Sequence, residues 1–145
     1  MKTYKEEKTV PINALKAWKA LKSMEQWLPH LKTVTKLEYG ASGDFFCEGR
    51  RYKVYTPEGP VMDSVITKVD EKNYTIQIDA HYFGLKSQLT CQVIPIDEVS
   101  CKVVRIQSYP GIIGTIFTGL FSHRELNETG EYVNVWSNYA LQAAD

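Results

Sequence analysis

The sequence predicts an α+β fold in which seven antiparallel strands form one sheet. Three observations support this prediction. A strand and a helical segment occupy residues 3–28, six further strands separated by short turns follow in residues 33–109, and helical spacing of apolar residues returns after Gly111. Turns this short join only antiparallel neighbours, so we expect the six strands to form a meander.

The first strand, over residues 3–12, leads into a helix with a marked start and end. Pro11 closes the strand, and Asn13 can cap the helix with its side-chain oxygen. Apolar residues then recur at helical spacing as far as Leu28. Pro29 ends the helix, because it has no N–H to donate and disfavours helical geometry at the residue before it.

The strands of the meander are delimited by turns at residues 40–43, 56–59, 70–73, 84–85 and 97–98. After the last strand, two apolar stripes at helical spacing cover residues 112–121 and 126–143. At 100° per residue the stripes lie on nearly opposite sides, so one straight helix cannot bury both. We therefore expect a break at Ser122, which begins the capping box Ser122-His-Arg-Glu125.

Length and charge narrow the class of protein. A chain of 145 residues has room for one core and contains no linker-like stretch, so we expect a single domain over residues 1–145. The 17 basic and 17 acidic residues cancel, which argues against nucleic acid as a partner because a phosphate backbone needs a basic surface. No long apolar run and no signal peptide are present, so we expect a cytoplasmic protein without stable membrane insertion.

Cysteine and histidine spacing gives no sign of a metal centre. Cys47, Cys91 and Cys101 are odd in number and lack CxxC spacing, which indicates neither a disulfide framework nor a zinc cage. The three histidines show no ligand spacing either. We therefore expect no metal and no cofactor, and we leave the oligomeric state open between monomer and homodimer.

Several short segments accompany this order of elements. They are Val10-Pro-Ile-Asn-Ala14, Ala17-Trp18, Trp27-Leu-Pro29, Gly43-Asp44 and Gly111-Ile-Ile-Gly114. Together with the element order they resemble the helix-grip fold of the START-like (SRPBCC) superfamily, which includes polyketide cyclase/dehydrase proteins. The resemblance implies a curved seven-stranded sheet wrapped around a long C-terminal helix, with a cavity between them for a hydrophobic or amphipathic molecule. It implies no catalytic residue, because these differ among members.

Turn lengths predict which side chains face that cavity, because paired residues of an antiparallel hairpin have a constant sum. Two-residue turns at 84–85 and 97–98 place one apolar set on the inner face. With the turns at 56–59 and 71–72 the predicted inner positions are Phe46, Glu48, Arg50, Tyr52, Val54, Val61, Asp63, Val65, Thr67, Val69, Ile78, Ala80, Leu89, Cys91, Val93, Lys102, Val104 and Ile106. A bulge would reverse the assignment beyond it.

The predicted inner face holds one polar group, Glu48, Arg50, Tyr52 and Asp63, on two adjoining strands. Arg50 lies two residues from Glu48 and Tyr52 and diagonal to Asp63, within reach of a long side chain. Two interpretations stay open. The group is either the polar end of a ligand pocket, where Arg50, Tyr52 and Tyr82 orient a carbonyl or hydroxyl, or a structural ion pair near the rim of the sheet.

Three functions compete. The first is binding or transport of a small lipid-like or polyketide-like ligand. The alternative is a cyclase/dehydrase-type enzyme that uses Asp63 or Glu48 as base while Arg50 and Tyr52 stabilise an enolate. The third is an interaction module that uses the 112–121 stripe, for which the missing basic residues argue against a membrane. The candidate ligand-binding residues are Glu48, Arg50, Tyr52, Asp63, Val65, Ile78, Tyr82, Leu89, Ile106 and Phe117.

Overall fold

A seven-stranded antiparallel sheet forms the framework, in the spatial order β1-β7-β6-β5-β4-β3-β2. The computed structural model describes residues 2–40, 45–57, 59–82, 84–110 and 131–143. Its strands are β1 (Lys2–Val10), β2 (Lys36–Tyr39), β3 (Arg51–Tyr55), β4 (Val61–Asp70), β5 (Thr75–Tyr82), β6 (Leu85–Asp97) and β7 (Ser100–Tyr109). The predicted meander of six strands is confirmed, and β1 closes the sheet against β7.

The first helical segment is shorter than the sequence spacing predicts. Helix α1 (Ala14–Lys22) starts as expected, with the Asn13 side chain accepting a hydrogen bond of 2.8 Å from the Lys16 amide. It ends at Lys22, and the amide of the next residue, Ser23, donates to the Ala20 carbonyl at 3.0 Å and so closes a tighter last turn. A short helix α2 (Met24–Trp27) and a 3-10 turn (Leu28–His30) follow. A single helix as far as Leu28 is therefore wrong.

A C-terminal helix packs against this segment. Residues 131–142 are helical and are called α3. The Trp136 indole N–H donates to the Ala17 carbonyl at 3.0 Å, which ties α3 to α1. The rings of Trp27 and Tyr132 meet edge to face at 5.1 Å. The Trp27 N–H likewise donates to the carbonyl of Ala20, whereas the N–H of Trp18 donates to the carboxylate of Glu71.

Several predictions lie outside the described residues. They are the stripe over 112–121 with Phe117, the break at Ser122 and the first part of the stripe over 126–143. In the part of the chain that the structure describes, no helix is both long and apolar enough to span a membrane.

Strand β3 begins later than predicted, because the backbone turns before it. Gly49 has φ +87°, a left-handed conformation that breaks a strand. Its amide donates to the Ile66 carbonyl at 2.7 Å, and the Ile66 amide returns a bond of 2.9 Å to the Arg50 carbonyl. Phe46 is buried as predicted, but it lies before the strand and meets the Trp18 ring edge to face at 5.5 Å.

A β-bulge reverses part of the predicted inner face of β4. Val69 pairs with Ile76 and lies inward, whereas Ile66 pairs with Ile78, so the register shifts by one residue at Thr67. Between Val61 and Thr67 the even-numbered residues of β4 therefore face inward, and Ile66 is fully buried. The inward placement of Val61, Asp63, Val65 and Thr67 is therefore wrong.

The predicted register of the β3–β4 hairpin is also wrong by one residue, and for β3 this error cancels the effect of the bulge in β4. The hairpin between β3 and β4 pairs Tyr52 with Ser64, where the turn rule predicts Asp63. Tyr52 and Val54 therefore face inward as expected, although their partners differ. The β5–β6 hairpin differs from prediction by two positions, with Leu89 opposite Ile78. A shift of two keeps the face, because side chains alternate with period two.

The predicted register of β7 is wrong by one residue, and no second shift restores the predicted inner face. Val93 pairs with Val103 and Cys91 with Arg105. The turn lies between Asp97 and Ser100, and the ladder shifts between Pro95 and Asp97. The outward residues of β7 therefore include the three predicted to point inward, namely Lys102, Val104 and Ile106. The inward residues are Cys101, Val103, Arg105, Gln107 and Tyr109.

Candidate functional site

A cavity of about 440 Å³ lies between the inner face of the sheet and the helical segments. It occupies the end of the sheet where the β3–β4 turn, the β5–β6 turn and the end of β7 come together. The opposite end is filled by buried side chains such as Trp18, Ile76 and Trp136. The lining residues are Leu28, Leu31, Thr33, Val34, Tyr52, Val54, Thr56, Pro60, Met62, Ser64, Ile78, Ala80, Tyr82, Leu85, Ser87, Leu89, Arg105, Gln107, Tyr109 and Tyr132.

Most of the lining is apolar, but one wall carries a buried guanidinium. Arg105 is only 7% exposed and lies on β7, between β1 and β6 in the sheet. Its guanidinium lies 4.5 Å from the centre of the Tyr132 ring, and it donates a hydrogen bond to the side-chain oxygen of Gln107. Stacking and this bond fix the plane of the guanidinium. The cavity thus holds an oriented cation.

Tyrosine hydroxyls lie beside this cation. Burial raises the pKa of Tyr52 far above its ordinary value, although a hydrogen bond with the Ser64 side chain and the charge of Arg105 oppose the shift. Burial likewise raises the pKa of Tyr132. Both phenols are therefore protonated at neutral pH and can donate hydrogen bonds to an oxygen in the cavity. They are unsuited to act as bases there.

Cys91 lies directly opposite Arg105 on β6 but does not line the cavity. It is fully buried, and burial raises the pKa of its thiol to about 11, against a smaller opposing effect of Arg105. The thiol therefore stays protonated at neutral pH and is a poor nucleophile. Cys91 therefore packs as a small apolar side chain of the core.

The formal charge among the described lining residues is of one sign, positive. Among the described lining residues Arg105 is the one with a formal charge, and none is an aspartate, glutamate, lysine or histidine. No three His, Cys, Asp or Glu side chains of the described residues are placed to hold a metal ion. The site can bind an apolar body and donate hydrogen bonds to oxygen atoms, but these described residues supply no strong base.

Four of the ten candidate residues line the cavity, namely Tyr52, Ile78, Tyr82 and Leu89. Val65 and Ile106 belong to the outward faces of β4 and β7, because of the two register shifts. Phe117 lies outside the described residues.

The predicted polar group of Glu48, Arg50 and Asp63 does not form. Glu48 is exposed and accepts a hydrogen bond from the Val69 amide at 3.0 Å. The Arg50 guanidinium instead donates to the carbonyls of Phe45 and Gly40, both at 3.1 Å. The Asp63 side chain is 51% exposed and lies 3.8 Å from the imidazole of His81 on the outer face. Both the pocket and the ion-pair interpretations are thus wrong for these three residues, whereas Tyr52 and Tyr82 of the pocket interpretation do line the cavity.

Arg105 and Gln107 are not among the residues predicted from the sequence, although the sequence does carry a signal for the correct turn before β7. Asp97 accepts hydrogen bonds from the Val99 amide at 2.9 Å and the Ser100 hydroxyl at 2.8 Å. Aspartate favours the first position of a turn for this reason, which would centre the turn on residues 98–99. That turn alone shifts the predicted pairing by two residues, which keeps the predicted face. The one-residue irregularity between Pro95 and Asp97 is what places Arg105 on the inner face.

Comparison with known proteins identifies the architecture. No protein-family model matches the sequence, and no curated protein is significantly similar to it. Among solved structures it is similar to norcoclaurine synthase from Thalictrum flavum in complex with dopamine and hydroxybenzaldehyde, at 17% identity and a TM-score of 0.80, over 99% of this chain and 88% of that chain.

Two further structures agree. A hypothetical protein from Helicobacter pylori matches at 12% identity and a TM-score of 0.76, over 96% of this chain and 88% of that one. The Zhui aromatase/cyclase from Streptomyces sp. R1128 matches at 10% identity and a TM-score of 0.75, over 97% and 94%. At such identities the likeness concerns the fold. The chain therefore has the helix-grip fold of the START-like proteins, with its cavity between sheet and helices.

Proposed function

We propose that this protein binds a small, mostly apolar molecule in the cavity, with an oxygen-bearing end of the ligand at the wall formed by Arg105 and Tyr52. The observation that carries the proposal is the cavity itself, whose volume of about 440 Å³ falls within the range typical of small-molecule sites. A packed interior would leave no such space. Solved structures of the same fold include one with dopamine and hydroxybenzaldehyde bound, which supports a ligand-binding use of this architecture.

The lining offers enough apolar surface for reversible binding. Burying about 200 Å² of apolar ligand surface contributes about 5 kcal/mol at ~25 cal/mol/Å². Hydrogen bonds from the protonated phenols of Tyr52 and Tyr132 add orientation at about 1 kcal/mol each. These contributions suit carriage or storage better than irreversible capture, because association itself costs several kcal/mol.

An enzyme of the cyclase or synthase type is the second candidate, and two of the similar structures have such names. Arg105 and the protonated phenols could stabilise an enolate oxygen. Proton abstraction also needs a base, and the described lining residues include no carboxylate, imidazole or amine. Asp63 and Glu48, the bases expected from the sequence, lie outside the cavity. Binding without turnover is therefore the better-supported function.

Native mass spectrometry of freshly purified protein, followed by displacement of an apolar fluorescent probe, tests the proposal. We expect a co-purified mass or a saturable probe signal that small amphipathic molecules displace. Absence of both would contradict binding. If turnover of a polyketide-like carbonyl compound were found, Asp63→Asn and Glu48→Gln should leave it unchanged, because neither side chain reaches the cavity.

A further inference from the structure

We propose that the ligand of this cavity is an uncharged molecule with two oxygen-bearing ends, one at Tyr52 and Ser64 and the other at Ser87. The inference rests on the proposed function and deepens it, because it names the class of ligand and adds a second polar contact. Its basis is a row of side chains across the inner face of the sheet, with hydroxyls on both sides of Ala80.

The row crosses four neighbouring strands. Tyr52 of β3 pairs with Ser64 of β4, and Ser64 pairs with Ala80 of β5. Ala80 in turn pairs with Ser87 of β6. Paired residues of an antiparallel sheet share a face, and all four side chains line the cavity. Two strand spacings separate β4 from β6, so the two serines lie about 9–10 Å apart along the row.

At the first end the two hydroxyls are bonded to each other. The side chains of Tyr52 and Ser64 share a hydrogen bond, and both residues are only 6% exposed. Each hydroxyl has one donor and two acceptor sites, so the bonded pair keeps one donor and further acceptor sites for a ligand. This end can therefore bind a hydroxyl or a carbonyl oxygen.

At the second end a single hydroxyl faces the cavity. Ser87 is 2% exposed and lines the cavity, and its hydroxyl makes no hydrogen bond with the residues that the structure describes. Most buried polar groups in proteins are hydrogen-bonded, because burial without a partner is costly. A ligand oxygen in the cavity would be such a partner.

Between the two ends the cavity offers apolar contact. Ala80 carries only a methyl group, which leaves space above β5 for the middle of a ligand. Ile78 and Leu89 pair with each other in the next row and line the same cavity. An extended alkyl chain of about seven carbon atoms spans the distance of about 9–10 Å between the serines.

The surroundings of Arg105 argue against a charged ligand. Its guanidinium donates to the side chain of Gln107 and stacks on Tyr132 at 4.5 Å. Glu6 is its neighbour on β1 and lies on the same face of the sheet, because the two residues are paired. The acid beside it balances the guanidinium, and a second charge in the apolar cavity would lose its hydration.

Isothermal titration with α,ω-alkanediols and with 1-alkanols from butanol to decanol tests this inference, because each pair differs by one terminal hydroxyl. We expect 1,7-heptanediol to bind the wild-type protein about twofold to tenfold more tightly than 1-heptanol, the usual worth of one hydrogen bond. The advantage should be absent for 1,4-butanediol, which is too short to reach both ends. Among the 1-alkanols, affinity should rise with each methylene.

Ser87→Ala removes the second end alone. It should abolish the advantage of 1,7-heptanediol and leave the affinity for 1-heptanol unchanged, because Tyr52 and Ser64 remain. Ser108→Ala is the matched control, since the Ser108 hydroxyl lies 3.2 Å from that of Thr3 and the residue does not line the cavity. This control should bind every probe as the wild type does.

Weaker binding of 1,7-heptanediol than of 1-heptanol by the wild type would overturn the inference and leave the proposed function intact. An advantage that Ser87→Ala retains would overturn the assignment of the second end to Ser87. Heptanoate should bind about tenfold more weakly than 1-heptanol, and tighter binding of heptanoate would overturn the uncharged class. Failure of every probe to bind would overturn the proposed function as well.

Discussion

A matched pair of alanine substitutions separates a hollow interior from a packed one. Ala80 on β5 faces the cavity and is half-buried, whereas Ala17 on α1 is fully buried against the core. Replacing either alanine by leucine adds the same three carbon atoms. At Ala80 the added atoms occupy cavity space and gain apolar contact, worth up to about 2 kcal/mol at ~0.8 kcal/mol per buried methylene. At Ala17 they have no space, and overpacking costs about 1–3 kcal/mol.

The test measures Tm by thermal unfolding and the affinity for decanol on both variants, Ala80→Leu and Ala17→Leu. We expect Ala80→Leu to leave Tm unchanged or raise it, by about 2–4 °C per kcal/mol, and to weaken decanol binding about tenfold. We expect Ala17→Leu to lower Tm and, where folded, to leave decanol affinity near the wild-type value. If Ala80→Leu destabilised the protein as much as Ala17→Leu does, the cavity would not be empty space, and the reasoning would be refuted.

Three further predictions concern the frame around the cavity. At pH 8 a thiol reagent should modify exposed Cys47 fast and Cys91 only after unfolding, because burial raises the pKa of Cys91 to about 11; fast modification of Cys91 in folded protein would contradict its placement. Asn13→Ala should lower the free energy of unfolding in urea by about 1 kcal/mol through loss of the α1 cap, and an unchanged value would refute that capping role. The hydrogen bond from Lys22 holds the pKa of Glu71 below its ordinary value. Glu71→Gln should therefore lower Tm slightly at pH 7, because it lowers the free energy of unfolding by at most about 1 kcal/mol. Because the folded-state pKa is depressed, this difference should vanish as the pH falls through it, and a difference that grew in acid would contradict the sign.

The order of strands could be predicted from the sequence because turn chemistry is local. The strong turn signals at 56–59 and 70–73 lie where the structure turns, and Asn13 caps α1 as its side-chain chemistry requires. The predicted faces of β5 and β6 are correct although the predicted turn centre is wrong, because an error of two residues leaves every side chain on its face. Local rules thus sufficed for element order and for the inner face of β5 and β6.

The polar wall of the cavity could not be predicted by the same rules, because it depends on single-residue irregularities. The bulge at Thr67 turned Asp63 and Val65 outward, and the irregularity before Asp97 turned Arg105 inward. Such shifts depend on how neighbouring strands pair and twist, and nothing in a strand's own alternation marks them. The polar wall of the cavity therefore includes Arg105 on β7 and not the charged residues Glu48, Arg50 and Asp63 that the sequence predicts.

Methyl NMR of the wild-type protein with decanol tests most directly whether the cavity is the ligand site. The structure places Leu89 and Ile78 in the cavity lining, and Val65 and Ile106 on the outward faces of β4 and β7. We predict intermolecular nuclear Overhauser effects from the decanol chain to Leu89 and Ile78, and none to Val65 or Ile106. Contacts to Val65 and Ile106 without contacts to Leu89 would contradict both the cavity and the observed register.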